Sequence, residues 1–160
     1  IENLTSLADE AHRYGLIAIG ITAVGADPLL TKFVKGERED GGELTADDKK
    51  EALRYLKHSC RVLSENGADI VKTYYCDGFE EVVEACLSPI VIAGGTKRPT
   101  KEALDFTYNA VKAGAVGVDM GRNIFQNENP VAMIQAVRAV VHEGKSVKEA
   151  YQLYEEIAKG

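Results

Sequence analysis

The sequence predicts an α/β protein built on a parallel sheet, and three observations carry that prediction. Short apolar runs rich in β-branched residues recur along the chain: "LIAIGITAV", "ADIVKTYY", "SPIVIAGG" and "AVGVDMGRN". Each is followed by a segment with apolar residues at helical spacing. The runs are continuous rather than alternating, as in a parallel sheet covered on both faces. Two architectures accommodate this order, a doubly wound open sheet and part of a (β/α)8 barrel. No GxGxxG follows any of the runs, so a dinucleotide fingerprint is missing.

The elements follow from local chemistry. "IENLTSLADEAHRYG" spaces Leu4, Leu7, Ala8 and Ala11 as a helix, and Gly15 closes it. After the first strand, "GADPLLTKFVKGEREDGGEL" is rich in Gly, Pro and charge and reads as a long loop. The helix "TADDKKEALRYLKHSCRVLSENG" has Thr45 as N-cap, Asp47 and Asp48 in its first turn, and a stripe of Leu53, Leu56, Cys60 and Leu63. A short helix, "GFEEVVEACL", separates the second and third strands. Thr100 is the expected N-cap and Gly114 the C-cap of "TKEALDFTYNAVKAG". Pro130 sits near the first turn of "NPVAMIQAVRAVVHEG", and Ser146 with Glu149 forms a capping box for the last helix. The whole chain reads as one domain, 1–160, with a helix at 1–15, four βα units over 16–144 and a terminal helix at 145–160.

Bulk properties narrow the function. The chain has 160 residues and a formal net charge of -6, which argues against sequence-independent binding to nucleic acid or anionic membrane. No apolar run approaches the roughly 20 residues of a membrane helix. Cys60, Cys76 and Cys86 form no CxxC pair and read as free thiols of a reducing, cytoplasmic compartment. No cluster of His, Cys, Asp and Glu has metal spacing. His12, His58 and His142 lie on helices without evident ligand partners, and Tyr108, Tyr151 and Tyr154 suit packing. Asp119 lies inside the last strand, where a buried ion pair is the expected role.

In both architectures ligands bind at the carboxyl ends of the strands, so those ends carry the chemistry. They hold Thr22 to Asp27, Lys72 to Tyr75, Ala93 to Lys97, and Asp119 to Asn123. Lys72 is the outstanding residue, because a lysine on a buried strand must lose water, find a partner or change its charge. A desolvated lysine has its pKa lowered, and its free amine can attack a carbonyl to form a Schiff base. A structural ion pair, or a head group reaching solvent at the strand end, explains the same residue without chemistry. The glycines of "IAGG" and "MGRN" let backbone N–H groups approach an anion, and Arg122 can fork onto phosphate oxygens. The plainer reading is a βα turn and a surface arginine. Cys76 is the remaining candidate near Lys72.

"GADIVKTYY", "PIVIAGGTKRP" and "GVDMGRNIFQ", in this order and spacing, resemble the class I aldolases of the DeoC/FbaB (DhnA-type) family. The resemblance runs from the opening helix to at least Glu143. It implies a (β/α)8 TIM barrel of which this chain covers roughly strands five to eight with their helices, entered through helix four. It further implies Lys72 as the Schiff-base lysine, and Gly94, Gly95, Gly121 and Arg122 as contacts of the substrate phosphate. The Tyr-Pro-Arg-Gly motif of the fructose-bisphosphate aldolase members is replaced here by "TAVGAD". That resembles the branch containing 3-hydroxy-5-phosphonooxypentane-2,4-dione thiolase, which moves an acetyl group to coenzyme A. Thr22 and Tyr74 are candidate accessory groups.

The expected function is then carbon–carbon cleavage or acetyl transfer on a phosphorylated keto compound. No metal or resident cofactor is implied, and coenzyme A is a candidate co-substrate. Four strands cannot close a barrel, so an incomplete chain or a homo-oligomer is expected, and "PLLTKFVKGEREDGG" is a candidate lid or oligomer contact. The alternatives are a non-catalytic phosphosugar-binding or assembly module and an inactive fragment.

Overall fold

A computed structural model describes residues 2–22 and 43–159. The candidate lid and all of "TAVGAD" after Thr22 lie outside the described residues. Four strands and seven helices are described, and the chain divides into two compact units, Ile1–Val91 and Ile92–Gly160.

The first unit holds α1 (Glu2–Arg13), β1 (Ile19–Ile21), α2 (Ala46–Glu65), β2 (Ile70–Thr73) and α3 (Phe79–Ala85). Helix α2 starts where its sequence says it should. Thr45 accepts from the Asp48 N–H, and Asp48 accepts from the Thr45 N–H in return, so two otherwise unpaired donors are satisfied. Strands β1 and β2 are parallel, with Ile19 opposite Ile70 and Ile21 opposite Lys72. The Val71 N–H donates to Pro89 O at 2.9 Å, which sets the start of β3 (Ile90–Ala93) beside β2. Gly20 faces α2: a Cβ there would lie 2.9 Å from Ala68 Cβ and 3.2 Å from Leu63 Cβ, so only glycine lets helix and strand close up. Ala52, Leu56, Cys60, Val71, Phe79 and Val82 form the buried core. The expected stripe shifts by one residue, because Ala52 is buried while Leu53 and Leu63 are only half-buried. At the opposite end Asp69 binds His12 Nε2 at 2.8 Å and the Ala18 N–H at 2.7 Å, tying α1 to the starts of both strands.

The second unit holds the end of β3, then α4 (Thr100–Lys112), β4 (Gly117–Asp119), the single turn α5 (Arg122–Phe125), α6 (Pro130–Glu143) and α7 (Val147–Lys159). Its core is the meeting of α4, α6 and α7 around Leu104, Met133, Ala136, Val140, Ala150 and Tyr154. The alanines let the helix backbones approach closely enough for the larger side chains to interdigitate. Asn127 links these helices: its amide donates to Thr100 Oγ1 at 3.0 Å, and its oxygen accepts from Tyr154 Oη at 2.8 Å. Thr100 is therefore not the N-cap that the sequence suggests. Pro99 takes that position with extended backbone, and no side chain caps α4. Ser146 pairs with Glu149 as expected, and Asn129, just ahead of Pro130, caps α6.

The expectation of a sheet covered on both faces is corrected. Burial alternates along β1, β2 and β3. Gly20 packs against Leu63 of α2, while Ile19 and Ile21 on either side of it are exposed. Among the described residues no helix is long and apolar enough to cross a membrane.

Candidate active site

The strand ends place the candidate residues in two sets, one in each unit. In the first unit, Lys72 is the third residue of β2 and is half-buried rather than buried. The strand is fixed on both sides of it by buried Val71 and Thr73. Thr22, directly after β1, donates its N–H to Lys72 O at 3.1 Å, and its Oγ1 lies 3.0 Å from Thr73 Oγ1. The structure thus brings Thr22 and Lys72 together through the backbone. Tyr74 follows β2 and is half-buried.

Cys76 is buried, and burial, with the Asp77 carboxylate as the next cause, pushes its thiol up to about 12. A raised thiol leaves little thiolate at neutral pH, which suits packing better than nucleophilic work. Cys60 is likewise pushed up to about 12 by burial.

In the second unit Gly94, Gly95, Gly121 and Arg122 come from two neighbouring strand ends. The Gly94 N–H donates to Asp119 O at 3.2 Å. A Cβ on Gly94 would lie 2.2 Å from Met120 Cβ and 2.9 Å from its Cα, so the close approach of the two strand ends requires glycine. Gly95 has φ +66, the left-handed region where an L side chain is strained. Asp119 is exposed at the end of β4 and not in the core where the sequence reading put it.

Two residues of this set escape a reading by motif. Asn123 is buried, donates to Gly94 O at 2.9 Å and Thr96 O at 3.1 Å, and accepts the Arg98 N–H at 2.8 Å. Arg98 donates to Gly94 O at 2.7 Å and lies 4.3 Å above the Phe106 ring. Both stand inside quoted motifs, "GRN" and "GGTKRP". The signal that could have found them is that a short loop with two glycines needs partners for its carbonyls. Chemically, the second set can take an anion on backbone N–H groups and a guanidinium, while the first offers a primary amine at a strand end. Among the described residues no group of three or more His, Cys, Asp or Glu side chains could hold a metal ion.

Comparison with known proteins shows the family and the fold. The family model described as DeoC/LacD family aldolase matches residues 32–127. A protein named as an uncharacterised aldolase from Pasteurella multocida is 46% identical over 155 residues, which is 96% of this chain and 46% of that protein. The 3-hydroxy-5-phosphonooxypentane-2,4-dione thiolase of Photorhabdus laumondii is 44% identical over the same shares of the two chains. The chain therefore spans about half the length of the curated relatives it matches. Among solved structures, an archaeal fructose 1,6-bisphosphate aldolase superposes with a TM-score of 0.66 at 22% identity, covering 89% of this chain and 52% of that one. The fructose-bisphosphate aldolase from Slackia heliotrinireducens gives 0.70 at 21%, over 97% and 48%. These likenesses show the fold: the four βα units are those of a (β/α)8 aldolase barrel in part.

Proposed function

The chain belongs to the DeoC/LacD aldolase family, and from that premise we propose that Lys72 is the Schiff-base lysine of a class I aldolase-type reaction on a phosphorylated keto compound. Gly94, Gly95, Gly121 and Arg122 hold the phosphate. The carrying observation is Lys72 itself, a half-buried amine at the carboxyl end of a parallel strand whose backbone is tied to Thr22.

The Lys72 amine adds to the substrate carbonyl, and loss of water leaves an iminium. That cation draws the electron pair of the adjacent carbon–carbon bond as the bond breaks, while the hydroxyl on the departing carbon gives up its proton to a base, giving an enamine and a carbonyl fragment. In the aldolase direction the enamine takes up a proton, and hydrolysis of the iminium releases the ketone and the lysine. In the thiolase direction the thiol of coenzyme A first adds to the neighbouring ketone carbonyl and gives up its proton. The carbon–carbon bond then breaks, releasing the acetyl thioester and leaving the enamine, which takes up a proton and is hydrolysed to the phosphorylated ketone and the free lysine. The name of the relative from Photorhabdus favours the second outcome. Thr22 and Tyr74 are the accessory groups of this proposal, which takes the protein as a cytoplasmic homo-oligomer.

A second reading is a non-catalytic phosphosugar-binding or assembly module that keeps the phosphate set and gives Lys72 only a charge-partner role. Turnover separates the two. Cleavage of a phosphorylated ketone should fall roughly 10³-fold in both Lys72→Ala and Lys72→Arg, because arginine keeps the charge and cannot form the imine. Turnover that survives in Lys72→Arg contradicts the proposal, and phosphate binding with no turnover in the unsubstituted protein favours the second reading.

A further inference from the structure

Resting on the assignment of a phosphate to this set of residues, we infer that Asn123 is the positioning residue that gives the anion site its shape before the anion arrives. Its carboxamide makes three bonds to one short turn, donating to the carbonyls of Gly94 and Thr96 and accepting the Arg98 N–H. The amide orientation is fixed by its partners. Rotated by half a turn, the oxygen would face two carbonyls and the NH2 group would face an N–H. Asn123 is 2% exposed, so water cannot replace the lost bonds.

The consequence is electrostatic. Carbonyl oxygens repel an anion and N–H groups attract it. Asn123 and the Arg98 guanidinium occupy the Gly94 and Thr96 carbonyls. The N–H groups of Gly95, Thr96 and Lys97 have no backbone acceptor among the described residues. The turn therefore spends its acceptors on Asn123 and Arg98 and keeps its donors for a ligand. The glycine at 94 is part of the device, because a Cβ there would lie 3.3 Å from Asn123 Nδ2 as well as against Met120. Asn123 also follows Arg122 in the chain. One turn of helix, α5, thus carries both the guanidinium offered to the anion and the amide that braces the facing turn. An aspartate of the same shape would accept only, and would set a carboxylate against two carbonyls and beside the anion.

Inorganic phosphate is the probe. The 160-residue chain, Asn123→Ala and Asn123→Asp are titrated and followed by 15N amide shifts, at a temperature where circular dichroism shows each fully folded. Wild type should shift at Gly95 and Thr96. Asn123→Ala should raise Kd about tenfold, the effect of one lost preorganised bond, and Asn123→Asp should abolish binding. A folded Asn123→Ala whose Kd rises less than about threefold overturns the inference, because a merely structural asparagine would lower stability and leave Kd alone. Should both variants unfold, exchange in wild type decides. Phosphate should slow the Asn123 Nδ2 protons together with the Gly95 and Thr96 amides, and protection of the amides alone overturns the inference. A wild-type chain with no phosphate shifts would overturn the phosphate assignment itself and this inference with it.

Discussion

Thr22 Oγ1 and Thr73 Oγ1 lie 3.0 Å apart with both residues buried, a polar pair bridging β1 and β2 one residue beyond Lys72. Thr73 also bonds the Cys60 thiol on α2. Thr73→Val leaves the buried Thr22 hydroxyl without its side-chain partner and should cost about 1–3 kcal/mol, whereas Thr22→Val should cost less because Thr73 keeps the Cys60 thiol. The double valine should cost less than the sum of the two singles, since it removes both polar groups together. Urea midpoints of the four chains check this, and strict additivity would mean that the pair contributes nothing.

The two glycines of the turn after β3 should fail for different reasons. Gly94→Ala drives a methyl into Met120, whose Cβ and Cα would lie 2.2 and 2.9 Å away. That overpacking should cost about 1–3 kcal/mol and move the turn. Gly95→Ala meets nothing closer than Arg98 Nη1 at 3.5 Å, so its cost of about 1 kcal/mol is the left-handed backbone alone. Chemical denaturation ranks them, and a Gly94→Ala chain more stable than Gly95→Ala would contradict the packing described.

Much of this was legible in the sequence. Lys72 stands on a strand because Ile70, Val71 and Thr73 are β-branched, and the caps at Thr45 and Ser146 lie within three residues of their partners. The failures involve partners far along the chain. Thr100 looks like an N-cap, but Asn127 takes its hydroxyl as an acceptor and Pro99 already has the extended backbone of the cap. Asn123 reads as the tail of "GRN" because its carbonyl partners, Gly94 and Thr96, are 29 and 27 residues away. The one-sided burial of the strands was hidden by residues such as Ile19 and Ile21, which are apolar and exposed.

The thiols should react in the order of their burial. Cys60 and Cys76 are buried with pKa values pushed up to about 12, whereas Cys86 is half-buried. Iodoacetamide at pH 8 should modify Cys86 first and the other two only at the rate of unfolding. Peptide mapping over time checks this, and early labelling of Cys76 would contradict it.

Acid should destabilise the fold through two carboxylates. The Ala18 N–H, and then His12, hold Asp69 below its ordinary value of 3.8. The Ser146 hydroxyl, and then its N–H, hold Glu149 below 4.5. Both folded values lie below the unfolded ones. Their stabilisation is therefore complete above the ordinary values and is lost as pH falls through them towards the folded ones. Unfolding midpoints from pH 6 to pH 3 should drop less steeply in Asp69→Asn and Glu149→Gln than in wild type. Parallel curves would contradict the assignment.

Reductive trapping tests the central claim about Lys72 most directly. The chain is incubated with a phosphorylated ketone such as dihydroxyacetone phosphate, reduced with borohydride, digested and mapped by mass spectrometry. The account predicts one covalent adduct, on Lys72, absent from Lys72→Ala and weakened in Arg122→Ala. An adduct on another lysine, or none at all, would contradict it.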